Sequence, residues 1–152
     1  MIHSIFLINR QGKVRLTKWY SRSLNLKERA RCVKEVISAV LTRNSKACNF
    51  LEWGDGKIVY KRYASLFFVF VVDRDANELL ILELIHFFVE VLDRYFGNVC
   101  ELDLIFNFHK VYCVLDELIM AGHIQESSRK VVLKAVSQLE NLLDQDENSI
   151  KK

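Results

Sequence analysis

The stretch from Val99 to Met120 constrains this chain more than any other. Read as one helix, it carries Val99, Leu102, Leu104, Ile105, Phe106, Phe108, Val111, Tyr112, Val114, Leu115, Leu118, Ile119 and Met120. These point in nearly every direction around a helical wheel. A helix apolar on all sides must be covered on all sides. A 152-residue domain can cover one face with its own sheet. The other face calls for another element or another chain. A permanent interaction partner is therefore the first expectation, ahead of any chemistry. A preceding helix, starting after an Asn77 cap and ended by Gly97, is also apolar over a wide face through Leu79, Leu82, Ile85, Phe88, Val89 and Leu92.

The rest of the chain reads as a sheet with helices. Ile2 to Ile8 is an apolar strand, and Asn9-Arg10-Gln11-Gly12 a hairpin turn. Lys13 to Tyr20 alternates, with Val14 and Leu16 on one face and Arg15, Thr17 and Trp19 on the other. Leu26 to Leu41 has helical spacing, with Arg29, Arg31 and Lys34 on its wet side. Phe50 to Trp53, Lys57 to Tyr63 and Leu66 to Val72 are three further strands, the last two joined at Ala64-Ser65. The long apolar helix stops near Gly122, and Ser127 or Ser128 caps a last helix. Five antiparallel strands with helices on both faces, an α+β fold, accommodate this order. With no proline and five scattered glycines there is no linker, so residues 1–143 form one domain, followed by a polar tail at 144–152.

The apolar N-terminus lacks a basic run before it and is cut off by Asn9-Arg10, unlike a secretory signal. No uninterrupted apolar segment reaches the roughly 20 residues of a membrane span, so the expected location is the cytosol. Cys32, Cys48, Cys100 and Cys113 have no paired short spacing and read as reduced, mostly buried thiols rather than zinc ligands. Residues 1–50 hold 11 Lys/Arg against 2 Asp/Glu, and residues 51–152 hold 11 against 17. That asymmetry is either an anion-binding surface or a charge imbalance made up within the fold.

Catalytic constellations are not evident. The sequence has no phosphate-binding glycine loop and no nucleophile elbow. His3, His86, His109 and His123 lie far apart, and His86 reads as a satisfied buried or half-buried residue of an apolar helix. Glu101 and Asp103 flank Leu102 and fall on different helical faces, a poor general acid–base pair. Trp19, Tyr20, Tyr60 and Tyr63 interleave with Lys18, Lys61 and Arg62, but the strand pattern buries about half of these aromatics and no nucleic-acid motif is present. The expectation is a non-enzymatic chain with no cofactor and no metal.

Several blocks carry a family resemblance: Trp19-Tyr20, Phe50-Leu51-Glu52-Trp53, the run Val59 to Leu66, Glu83-Leu84-Ile85-His86, and the run Asp93 to Phe108. In this order and register they resemble the small (sigma) subunit of heterotetrameric clathrin adaptor complexes, from Met1 to about Leu143. Glu52-Trp53, Lys61, Ser65, Leu84-Ile85-His86 and Gly97 look most like the type-1 complex of the trans-Golgi network and endosomes; the plasma-membrane type-2 complex is the near neighbour. The resemblance implies a longin-like (SNARE-like) fold. It also implies a heterotetramer with gamma-type and beta-type large adaptins and a medium (mu) chain. Contact with membrane and clathrin would come through the complex, on the cytosolic face of trans-Golgi and endosome membranes and coated vesicles.

The family holds acidic dileucine sorting signals in the cytosolic tails of membrane cargo: an acidic residue, three variable positions, then Leu followed by Leu or Ile. Carried over residue by residue, Arg15 meets the acidic position. The leucine pocket falls on Tyr63, Ala64, Leu66, Val89, Asn98, Val99, Leu102 and Leu104. A surface charge pair is typically worth below ~1 kcal/mol, so Arg15 steers more than it anchors. Burying a leucine side chain is worth roughly 1.5–3 kcal/mol, which makes the leucines the anchor. The chain departs from the family pattern at Gly54 and Gly56, where bulkier residues are usual, and at Phe67, where tyrosine is common. The small subunit of the type-2 adaptor or of coatomer, and a stand-alone longin-type trafficking regulator, are the alternative readings.

Overall fold

The computed structural model describes residues 1–44, 46–120 and 123–124. The expected last helix after Ser127 or Ser128 and the domain boundary at residue 143 lie outside them. Five strands form one sheet: β1 (Ile2–Asn9), β2 (Val14–Trp19), β3 (Phe50–Trp53), β4 (Gly56–Tyr63) and β5 (Leu66–Asp73). Their order is β2-β1-β5-β4-β3, and every neighbouring pair is antiparallel. This is the longin-like α+β architecture that the resemblance implied.

Alternation along the strands feeds two cores. On one face Ile5, Leu7, Leu16, Val59, Leu66, Phe68, Phe70 and Val72 pack under α2 (Glu78–Phe96) and α4 (Phe108–Leu118). On the other, Phe6, Ile8, Ile58, Tyr60, Val69 and Val71 pack under Cys32, Val36 and Val40 of α1 (Leu26–Leu41). Asn25 begins α1 with a reciprocal cap: its side chain accepts from Glu28 N, while the Glu28 carboxylate accepts from Asn25 N, both at 2.9 Å. Asn77 Oδ1 accepts from Leu79 N to start α2, and Gly97, in the left-handed region at φ 62°, ends it.

Alternation fails at one point in β2. Leu7 faces Leu16, but Ile8 faces Val14, so Arg15 is the extra residue of a β-bulge. The extra residue rotates the remainder of the strand by one position. Val14 therefore packs with the α1-side core and Leu16 with the opposite one, where unbroken alternation puts both on one face. Arg29, expected on the wet side of α1, lies over the Trp19 ring at 5.2 Å.

The long apolar helix is two helices. α3 (Glu101–Phe106) and α4 meet at Asn107, whose backbone sits at φ −124°, ψ 34°. The break lets each piece turn its own apolar side inward. Leu104 is buried from α3, and Val111, Val114, Leu115 and Leu118 from α4. One side of α2, with Ile81, Leu84, Ile85, Phe88, Val91 and Leu92, is likewise buried in the core it shares with the sheet and α4. His86, expected to be buried or half-buried, is exposed and pairs with Glu90 at 3.1 Å. Among the described residues, large apolar side chains stay exposed at Leu102 (59%), Ile105, Phe106 (76%) and Phe108 around the break, at Leu79 and Leu80 at the start of α2, and elsewhere at Met1, Phe50 and Leu26, the last at the start of α1. After α4, Ile119–Met120 pairs with His123–Ile124 as a short ladder, β6 with β7, in place of the expected last helical residues.

Candidate functional site

The hairpin tips at one end of the sheet gather the residues that the resemblance singles out. Asn9, at the end of β1, pairs with Leu66, the first residue of β5, and Leu66 pairs with Tyr63 across the β4–β5 turn. That turn places Ala64 at φ 52°. A left-handed non-glycine residue costs roughly 1–2 kcal/mol, and such strain gathers where a ligand or a neighbour needs the shape. Asn98, at φ 74°, is the other positive-φ non-glycine among the described residues.

Asp93 in the last turn of α2 ties this end together. Its Oδ2 accepts from the Tyr63 hydroxyl at 2.5 Å, and its Oδ1 accepts from Val99 N at 2.9 Å. Its carbonyl also takes the N–H of Gly97 and of Asn98. The chain reversal after α2 is thereby fixed, and α3 begins two residues after Val99. The hydrogen bond to Asp93 raises the Tyr63 pKa, with burial adding to it.

On α3, Glu101 faces back to β2. Arg15 Nε donates to Glu101 Oε1 at 2.6 Å, and Asn9 Nδ2 donates to the same oxygen at 3.0 Å. Asn9 is itself almost wholly buried, and its Oδ1 takes the N–H of Gln11 and of Lys13, so the β1–β2 turn and the Glu101 carboxylate share one anchor. Hydrogen bonds from Arg15 first, then Asn9, hold the Glu101 carboxyl below the usual carboxylate range. It is a carboxylate at neutral pH.

The nine expected site residues therefore fall into three groups. Leu66, Val89, Val99 and Leu104 are closed into the α2-side core. Tyr63 is half-buried, and Ala64, Asn98 and Leu102 are exposed around them. Arg15 is engaged with Glu101. A leucine side chain entering this end must part side chains that are now closed to solvent. Val99→Asp would bury an unpaired carboxylate and so would disturb the fold itself; Leu102, in the open, is the cleaner probe.

Spacing along the sequence does not pick out Glu101, Asn9 or Asp93 as partners. Glu101 and Arg15 are 86 residues apart, and no local pattern links them. The acidic second part of the chain does supply partners to the basic first third: Lys18 pairs with Asp116 at 3.2 Å, as Arg15 does with Glu101. The cysteines depart from expectation. All four are free thiols, but only Cys32 is buried, its pKa pushed by burial to about 11; Cys48, Cys100 and Cys113 are exposed. They sit in a loop, at the cap of α3 and on the outward side of α4 rather than in the apolar runs beside them. Among the described residues, no group of three His, Cys, Asp or Glu side chains could hold a metal ion. No helix among them is long and apolar enough to cross a membrane.

Comparison with known proteins agrees with this architecture. The family model described as clathrin adaptor complex small chain matches residues 1–143. The AP-1 complex subunit sigma-2 of Dictyostelium discoideum is 62% identical over 142 residues, covering 93% of this chain and 92% of the relative. The AP-1 complex subunit sigma-1A of Homo sapiens is 53% identical, covering 97% and 93%. A chain in a homology model of the full-length AP-3 complex, in a stretched open conformation, superposes with a TM-score of 0.74 at 32% identity and covers 98% of this chain and 99% of that one.

Proposed function

Because this chain belongs to the clathrin adaptor complex small chain family, whose members are structural trafficking subunits and not enzymes, we propose that it is the sigma subunit of a type-1 adaptor complex. In that role it joins gamma-type and beta-type large adaptins and a mu chain in a heterotetramer. It acts on the cytosolic face of trans-Golgi and endosomal membranes and coated vesicles, and helps hold acidic dileucine signals of cargo tails.

The observation that carries the reading is the end-to-end likeness, at 53–62% identity, to AP-1 sigma subunits of distant organisms. The site reading draws support from geometry. Leu102, Ile105 and Phe106 leave apolar surface open on the same six-residue helix whose Glu101 holds Arg15. An extended peptide lying along this end of the sheet would bring its acidic residue to Arg15 and its two aliphatic side chains to the region of Leu102, Val99 and Leu104. Asn98 and the turn at Ala64 would flank it. The mechanism is passive: burial of two leucines supplies the affinity, and charge supplies register. Seating them requires α3, short and already uncoupled from α4 at Asn107, to shift outward from the core.

The test is titration of the assembled complex with an acidic dileucine peptide. Leu102→Ser abolishes peptide binding while the four chains still co-purify. Unchanged binding removes the site assignment.

A further inference from the structure

Arg15 is not a vacant cation. Its Nε is engaged at 2.6 Å by the carboxylate of Glu101, and Asn9, a nearly buried side chain, fixes that carboxylate from a second direction at 3.0 Å. Glu101 also stands in the first turn of α3, directly beside the open Leu102. A negative group approaching Arg15 therefore meets a like charge already in place.

We propose that Glu101 is a built-in competitor for the acidic residue of the bound peptide: it occupies Arg15 until cargo displaces it, and so sets how much an acidic residue adds to affinity. The inference rests on the dileucine-site reading above. An incoming carboxylate has two choices. It replaces Glu101 on the guanidinium, in which case one ion pair is exchanged for another. Or it binds the remaining guanidinium N–H groups, beside the Glu101 charge, and is repelled by it. Either way the acidic residue contributes less than it would on a bare arginine. The depressed pKa of Glu101 keeps the competitor charged throughout the neutral range. Selectivity then falls on the leucines, and a carboxylate without them gains little from Arg15.

The test uses the assembled complex and two peptides that differ only at the acidic position, Glu in one and Gln in the other. Glu101→Gln keeps an oxygen able to accept from both Arg15 and Asn9, so the arginine stays oriented while the competing charge is gone. The expected result is binding of the Glu peptide tightened about fivefold at low salt, less at high salt, with the Gln peptide unchanged. Glu101→Ser acts in the same direction if the glutamine variant does not assemble. Unchanged or weaker binding of the Glu peptide by both variants overturns the proposal and shows Glu101 to be only a support for Arg15. Leu102→Ser separates the two claims. If it abolishes binding while Glu101→Gln changes nothing, the competitor fails and the site stands. If it leaves binding intact, the site reading fails and the competitor falls with it.

Discussion

The Tyr63 hydroxyl and the Asp93 carboxylate meet at 2.5 Å, joining the tip of the β4–β5 hairpin to the last turn of α2. The same carboxylate receives Val99 N, so one side chain fixes both walls of the end of the sheet at which the site is proposed. Tyr63→Phe removes one donor and leaves the other. Native-state hydrogen exchange on the assembled complex is expected to show faster exchange of the amides from Gly97 to Val99. Unchanged protection there would mean that Asp93 holds the reversal without Tyr63.

Leu104 and Leu102 lie two positions apart on α3, one closed into the core and the other 59% exposed. Leu104→Ala creates a cavity and is expected to destabilise the chain by about 2–5 kcal/mol. Leu102→Ala is expected to stay within about 0.5 kcal/mol, as exposed substitutions do. Hydrogen exchange of α2 and β5 amides distinguishes them: protection drops for the first variant and holds for the second.

Ala64 holds a left-handed backbone that glycine adopts freely. Ala64→Gly relieves roughly 1–2 kcal/mol of strain and loses part of that to unfolded-chain entropy, for a net gain of about 1 kcal/mol or less. Slower exchange at the β4–β5 turn checks it. Faster exchange would show that the alanine methyl contributes packing there.

Lys57 is almost wholly buried, and its Nζ reaches the Ala76 carbonyl at 2.6 Å and Glu78 Oε1 at 2.7 Å. The hydrogen bond from Lys57 lowers the Glu78 pKa below the ordinary carboxylate value. A carboxyl whose native pKa is depressed stabilises the fold above its unfolded pKa of about 4.3, and that contribution is lost as pH falls through the native value. The midpoint of thermal unfolding is therefore expected to drop as the pH is lowered from about 5 toward 3. Glu78→Gln is expected to lower the midpoint at neutral pH and to flatten this slope. Parallel curves for the two proteins would show that Glu78 carries none of the acid sensitivity.

Much of the fold is legible in the sequence because alternation and helical spacing are local. The expected strands agree with the observed ones to within a residue or two at their ends, α1 spans Leu26–Leu41 as its spacing predicts, and Asn77 and Gly97 mark the ends of α2. The break at Asn107 is not legible. Both halves are apolar, and neither proline nor glycine punctuates them, so one continuous helix is the natural reading. The bulge at Arg15 is equally silent, because an inserted residue shows only against a partner strand. For the candidate site, the residue set comes from family likeness rather than spacing. Its electrostatics lie beyond any sequence spacing: Glu101 and Arg15 meet only because the sheet brings β2 under α3.

Among the described residues Leu102, Phe106, Leu79 and Leu80 are exposed apolar side chains, surface that the proposed large adaptin partner would cover. The most direct test is expression alone and together with a large adaptin chain, followed by size-exclusion chromatography. Aggregation or poor recovery is expected alone, and a soluble stoichiometric complex when the large chain is present. A monodisperse, stably folded monomer that ignores the large chain would contradict this.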